Sequence, residues 1–214
     1  MLIATSWDDG LETDKRLIRI LEKYGVRSSF AITPGRHREY SAANDPRHPE
    51  AYGTLVKIPD VHMYTPHEVC NHTFSHQQMD LASSKVIKDE VEKGKSHLEY
   101  CFNREITGII WPYGISTELA IQVAKDTGHK YGRSTPGNNS PAIDSTWHIR
   151  PLSWRSRLDD LLDLGIESVV LSGHTYEMSN EDDWEQVDNF YREASASTEC
   201  ALVTIGELME SICD

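Results

Sequence analysis

Residues 1–10, MLIATSWDDG, carry much of the information on how this chain folds, because a short apolar run leads directly into two adjacent carboxylates. The apolar start predicts a buried strand over about residues 2–6. Asp8 and Asp9 then follow side by side and repel one another. Two interpretations are open at this point: an exposed Asp-Gly turn, or a pair of carboxylates that holds a cation or shares a proton.

Strands and helices alternate along the rest of the chain. Short apolar runs predict strands at about 27–33, 67–71, 106–111, 130–135, 147–152, 167–173 and 200–205. Segments in which apolar residues recur at helical spacing predict helices at about 12–24, 82–102, 116–128, 156–165, 184–195 and 206–212. Ser83 or Ser84 is the expected N-cap of the second helix. This alternation predicts an α/β fold with a parallel sheet or barrel.

Composition limits the functions to consider. The 214 residues predict a single domain over 1–214, and the polar stretch 35–65 is expected to form a long loop insertion near the rim of the site. With 21 Lys and Arg against 34 Asp and Glu, the net charge is −13. An acidic protein is poorly suited to binding a phosphate backbone or an anionic membrane, so neither nucleic acid nor membrane is an expected partner.

The compartment can also be predicted. The N-terminus has no basic start, long apolar run or cleavage site, which argues against a signal peptide, and no stretch approaches the roughly 20 apolar residues of a membrane helix. The four cysteines are Cys70, Cys101, Cys200 and Cys213. They form no short-spaced pattern, which predicts that they are reduced thiols. A cytoplasmic protein is the resulting expectation.

In α/β folds the chemistry gathers where strands end. Asp8 and Asp9 follow the first predicted strand, His72 and His76 follow the third, the turn Pro-Tyr-Gly follows the fourth, and His174 follows the strand at 167–173. Each feature has an ordinary structural explanation on its own. If the pair His72 and His76 lies on one helical turn, both imidazoles reach one metal; otherwise they are buried histidines bonded to the backbone.

Together these strand ends favour a catalytic site. One Asp and two His make three metal ligands with an open position, which is the pattern of a catalytic divalent-metal site. A second Asp is then available as general base and a separate His as general acid.

These motifs resemble those of the polysaccharide deacetylase family of carbohydrate esterases, whose core is a distorted (β/α) barrel with a mostly parallel sheet. TSWDDG resembles the family's T-F-D-D-G, with Trp7 in place of Phe, and NHTFSH matches its H-[ST]-x-x-H. WPYG resembles the end of its R-x-P-[YF] element, and LSGH its L-x-x-H. The four elements occur in the family's order, and the framework to which they belong covers nearly the whole chain apart from 35–65.

The resemblance implies a role for each matching residue. The implied metal ligands are Asp9, His72 and His76, and the metal is expected to be zinc, although cobalt, nickel or iron also suits such ligands. The implied catalytic groups are Asp8 as base, His174 as acid and the Tyr113 backbone N–H as oxyanion donor. The implied substrate contacts are Leu171, beside the acetyl methyl group, and Trp111.

Two features depart from the family's pattern. Ile110 stands where the family has an arginine that could orient Asp8, and the family's D-x-x-D-W element is not found after the fourth helix. A cationic partner for Asp8 is therefore expected from another strand. Arg133 is favoured over Arg150, because its segment follows the helix after Pro-Tyr-Gly and should form the next strand on the rim.

The predicted function is removal of N-linked acetyl groups from a carbohydrate by metal-activated water. The first alternative is a metal-dependent amidase acting on a non-sugar amide such as a cyclic imide or ureide. The second is a catalytically weak sugar-binding module, which the missing arginine favours. Retention of both carboxylates and all three histidines argues against that module.

Overall fold

The computed structural model describes residues 1–37, 62–134 and 141–213, so most of the predicted loop at 35–65 lies outside the described residues. The strands in these ranges are β1 (Leu2–Asp9), β2 (Ser29–Ile32), β3 (Glu68–Asn71), β4 (Gly108–Ile110), β5 (Tyr131–Arg133), β6 (Ala142–Ser145), β7 (His148–Arg150), β8 (Leu152–Ser153), β9 (Ser168–Gly173) and β10 (Ala201–Val203). The α-helices are α1 (Asp14–Lys23), α2 (Ser84–Phe102), α3 (Glu118–Asp126), α4 (Leu158–Leu162), α5 (Glu181–Ala196) and α6 (Ile205–Cys213).

The strands form one sheet in the order β6-β7-β5-β4-β3-β2-β1-β9-β8, with β10 paired to the start of β1. Every pairing is parallel except that of β6 with β7. The fold is therefore α/β with a mostly parallel central sheet, as predicted. Within the described part of the chain the two end strands, β6 and β8, are not paired to each other, so hydrogen bonds do not close the sheet.

One face of this sheet curves around a common core. Seven strands contribute a side chain each to a single buried cluster: Ala4, Ala31, Cys70, Ile110, Tyr131, Ile149 and Val170. Helix α6 packs into the same cluster, and its first N–H groups donate to Ser29 Oγ (2.9 Å) and Glu68 Oε2 (3.0 Å). Because Ser29 and Glu68 begin their strands, α6 covers the amino ends of the sheet and leaves the carboxyl ends for the site.

Some boundaries differ from the predicted ones. Strand β1 continues to Asp9, three residues beyond its predicted end, because the parallel neighbours β2 and β9 extend its pairing. Ser83 is the N-cap of α2, where its Oγ accepts the Val86 N–H at 3.4 Å. Strand β6 was not predicted. No helix in the described ranges is both long enough and apolar enough to cross a membrane.

Candidate active site

Asp9 lies at the end of β1 and is the centre of the candidate metal site. Its φ of +80° is a left-handed conformation that Asp tolerates better than most residues. The residue is 1% exposed, and neither carboxylate oxygen accepts a hydrogen bond. A buried carboxylate without donors is costly unless another positive group offsets its charge, so this carboxylate has the character of a cation ligand.

Two imidazole nitrogens face the Asp9 carboxylate. His72 Nε2 lies 3.6 Å and His76 Nε2 3.5 Å from Asp9 Oδ1, and the candidate ligand atoms of the three residues lie within 4.8 Å of one another. His72 Nδ1 is 2.7 Å from the Ile110 carbonyl oxygen. Because a carbonyl can only accept, Nδ1 carries the proton and the neutral ring presents the lone pair of Nε2.

Burial strengthens this assignment for His72. Burial lowers the pKa of the His72 imidazole, against the attraction of the neighbouring carboxylates of Asp8 and Asp9, and the net pKa is below its usual value. The ring is therefore neutral near pH 7, as a metal ligand must be. One carboxylate and two imidazoles suit zinc and other borderline divalent cations, so the residues fit the metal that their spacing predicts.

The two histidines do not lie on a helical turn, so the geometry considered from their spacing is wrong. They occupy a loop after β3 in which Thr73 and His76 have φ of +61° and +65°. Helix α2 holds this loop: the Ser75 N–H and Oγ each donate to the Glu90 carboxylate at 2.7 Å. The histidine rings meet at a centroid distance of 4.8 Å because of this bent loop, not because of helical periodicity.

Arg133 ends β5 and makes an ion pair and hydrogen bond with Asp8 Oδ2 through its Nη2. Burial acts to raise the pKa of Asp8, but the Arg133 charge and two nearby histidines outweigh it and hold the pKa below its usual value. The second oxygen, Oδ1, accepts no hydrogen bond. Arg150 instead pairs with Asp144, at 3.0 Å on the surface. Asp8 is thus an ionised carboxylate with one oxygen available to a ligand.

His174 follows β9 and faces the same site. Its Nε2 lies 3.9 Å from Asp9 Oδ2, and its Nδ1 lies 2.7 Å from Glu177 Oε1. Burial acts to lower the pKa of His174, but the hydrogen bond to Glu177 and the charges of Asp9 and Asp8 raise it to about 9. A cation bound to Asp9 would offset part of that negative charge and so reduce the rise in the pKa of His174.

The sequence predicted three further residues at the site. Tyr113 has a φ of +56° in the turn after β4, and its ring lies edge-on to His76 at 4.8 Å. Leu171 is 2% exposed, on the strand that ends beside His174. Trp111 is 1% exposed and packs in a core cluster with Met79 and neighbouring residues of α2 and α3. Its ring is a core side chain, and this placement gives no support to its predicted role in substrate binding.

Two residues at the site were not predicted from the sequence. Glu177 contacts His174 from three residues away, and the H-T-Y-E spacing is the signal that could have indicated it. Glu90 holds the histidine loop from the middle of α2, 15 residues beyond Ser75. Its position in a long amphipathic helix gave no such signal.

Residues 1–132 match the family model described as polysaccharide deacetylase. A search of curated proteins gives no significant match.

Solved structures share the fold. A candidate polysaccharide deacetylase from Mycobacterium smegmatis is 15% identical, with a TM-score of 0.72 over 99% of this chain and 90% of that chain. The Xyl-CE4 domain of a xylanase from the hindgut metagenome of Trinervitermes trinervoides is 19% identical, with a TM-score of 0.61 over 99% and 91%. A CE4 family pseudoenzyme from Bacillus anthracis is 17% identical, with a TM-score of 0.63 over 97% of this chain and 65% of that one.

Proposed function

Because the chain belongs to the polysaccharide deacetylase family, we propose that it is a divalent-metal-dependent hydrolase that removes N-linked acetyl groups from a carbohydrate. One observation carries the proposal: the buried Asp9 carboxylate faces two histidine nitrogens, with a second carboxylate, Asp8, and His174 beside it. These are the groups that amide hydrolysis needs at one point: metal ligands, a base and an acid.

The proposed metal ligands are Asp9, His72 and His76. When bound there, a divalent cation, zinc in the first instance, supplies the positive charge that acidifies a water molecule and polarises the acetyl carbonyl. Cobalt, nickel and iron are the alternatives that this ligand set accepts. The Asp9 oxygens, which accept no hydrogen bond, and the lone pair of His72 Nε2 beside them support the assignment.

Asp8 is the proposed general base. Its free oxygen Oδ1 accepts a proton from the attacking water, while Oδ2 stays bonded to Arg133. The Arg133 guanidinium keeps the carboxylate ionised and fixes its orientation. The water oxygen then bonds to the acetyl carbon, and the Tyr113 backbone N–H is the proposed donor to the carbonyl oxygen as it gains charge.

His174 is the proposed general acid. Its Nε2 gives a proton to the amide nitrogen as the C–N bond breaks, so that the products are acetate and a free amine. The side chain is 26% exposed, which allows a substrate to reach it. Leu171, on the strand before His174, is the proposed neighbour of the acetyl methyl group.

A screen of acetate release tests this function. The purified protein, loaded with zinc, cobalt or nickel, is incubated with N-acetylated oligosaccharides, O-acetylated xylan, acetylated peptides and cyclic ureides. We expect acetate from an N-acetylated sugar, with the Asp8→Asn and His174→Ala variants inactive on it. Ring opening of a ureide without acetate release would favour the amidase, and sugar binding without turnover would favour a binding module.

A further inference from the structure

We infer that Glu177 is a positioning residue that fixes the His174 ring with Nε2 directed at the candidate metal site; this inference rests on the proposed function. The contact is direct, since Glu177 Oε1 lies 2.7 Å from His174 Nδ1. A carboxylate at that distance accepts the Nδ1 proton whether the ring is neutral or charged. The second nitrogen, Nε2, is then the one left to face a substrate.

His174 Nε2 is directed toward the candidate metal site. Nε2 of His174 lies 3.9 Å from Asp9 Oδ2, on the side of the candidate metal site. A flip of the ring would put Cδ2 in the place of Nδ1 and Cε1 in the place of Nε2, and would break the bond to Glu177. The carboxylate therefore selects one of two orientations of the acid.

Glu177 is itself held in place at both ends. Its second oxygen, Oε2, accepts the Trp154 indole N–H at 2.6 Å, and its backbone carbonyl accepts an N–H of Arg155 at 3.2 Å. The indole packs on Gly173, where a Cβ would lie 2.1 Å from Trp154 Cδ1. Only a residue without a side chain fits there, so the residue before His174 is adapted to the indole that anchors Glu177.

The Glu177 carboxylate joins His174 to a wider set of contacts. Both carboxylate oxygens of Glu177 are used, one by the imidazole and one by the indole. The Arg155 guanidinium lies over the Trp154 ring at 4.2 Å and bonds to Asp183 on α5 at 2.7 Å, so the support continues into a helix. A rigid chain of contacts of this kind is what a general acid needs to keep its proton directed at the leaving group.

The test compares Glu177→Ala and Glu177→Asp with a matched control, Glu181→Ala. Glu181 is a surface glutamate whose side chain is 81% exposed and which pairs only with Arg16 among the described contacts. The amide probe is N-acetylchitotriose and the ester probe is p-nitrophenyl acetate, whose leaving group needs no proton. We expect Glu177→Ala to lose about 100-fold in kcat on the amide, with KM and ester turnover little changed. Glu177→Asp should recover part of the loss, and Glu181→Ala should behave as wild type.

A spectroscopic readout keeps the inference independent of the proposed function. In wild type we expect a downfield, slowly exchanging Nδ1 proton, assigned to His174 by its loss in His174→Gln. It should vanish in Glu177→Ala and persist in Glu181→Ala. Persistence in Glu177→Ala, or equal kinetic losses on amide and ester, would overturn the inference. If wild type released no acetate from any sugar, the proposed function would fail, and the proton signal would still decide whether Glu177 fixes the ring.

Discussion

Replacing Arg133 with Met is expected to lower the free energy of unfolding by about 3–5 kcal/mol, the usual cost of removing one partner of a buried ion pair. The Arg133 and Asp8 side chains are 1% and 6% exposed, so water cannot replace the lost guanidinium. The remaining carboxylate would stay buried and charged, with one oxygen already lacking a donor. A loss of the full amount, about 3–5 kcal/mol, is therefore expected, because solvent does not screen this pair as it screens a surface pair.

A double-mutant cycle isolates the pair. Asp8→Asn leaves the buried guanidinium without its carboxylate and should also be destabilising, but the combination of Asp8→Asn with Arg133→Met leaves no charge at either of the two positions. Its cost should be smaller than the sum of the two single costs by about 1–3 kcal/mol. The assay is urea unfolding at constant metal content, compared through midpoints at an unchanged m-value.

The coupling should depend on pH with a definite sign. The pKa of Asp8 in the folded protein lies below the ordinary value of 3.8. A lowered carboxyl pKa stabilises the fold above the unfolded pKa, and the stabilisation is lost as pH falls toward the folded pKa. The interaction energy should therefore be complete at pH 7 and shrink below about pH 4.

A surface pair supplies the control. Arg150 and Asp144 are 34% and 56% exposed at 3.0 Å, so the same cycle with Arg150→Met and Asp144→Asn should give under about 1 kcal/mol. Additivity within about 0.5 kcal/mol for the Arg133 and Asp8 variants would refute the reasoning, because it would mean that the two groups do not interact in solution.

Three further predictions concern the metal site. The His72→Ala, His76→Ala double variant should lose zinc binding in calorimetry, while His148→Ala, a histidine outside the cluster, keeps one ion per chain. Glu90→Ala should weaken zinc binding about 10–100-fold, because the histidine loop loses the carboxylate that accepts its Ser75 bonds; unchanged affinity would exclude that role. Asp8→Asn should retain zinc yet lose at least about 100-fold in turnover, since an amide cannot accept the water proton, and metal analysis beside acetate release separates the two effects.

Much of the site could be predicted because carboxyl ends of parallel strands meet at one edge of a sheet. That rule places the groups after β1, β3 and β9 together. In the structure the Nε2 atoms of His72, His76 and His174 lie 3.6, 3.5 and 3.9 Å from the Asp9 carboxylate. The same rule, applied to the next strand along the rim, selected Arg133 as the partner of Asp8. Strand order alone is enough to bring these residues to the same edge of the sheet.

What the sequence could not supply depends on local backbone shape and on distant contacts. The positive φ values of Asp9, Thr73 and His76 turn side chains in directions that neither strand nor helix periodicity predicts. Glu90 reaches the histidine loop only because α2 packs against it. The antiparallel pairing of β6 with β7 depends on register across a short turn, and its polar residues gave little strand signal.

The absence of the family's arginine at position 110 favoured a binding module, but the pairing of β4 with β5 explains how Arg133 replaces it. Ile110 and Arg133 are register partners on β4 and β5, so a side chain at 133 leaves the sheet at the same level as one at 110. Ile110 supplies no positive charge, but Arg133, one strand away, does. Its guanidinium bonds to the carboxylate of Asp8, the proposed base. A buried Asp–Arg pair is a costly feature whose removal to apolar residues is often tolerated or stabilising. A module that only bound sugar would gain nothing evident from keeping this pair, whereas a hydrolase needs an ionised base at that position, and this asymmetry favours the hydrolase.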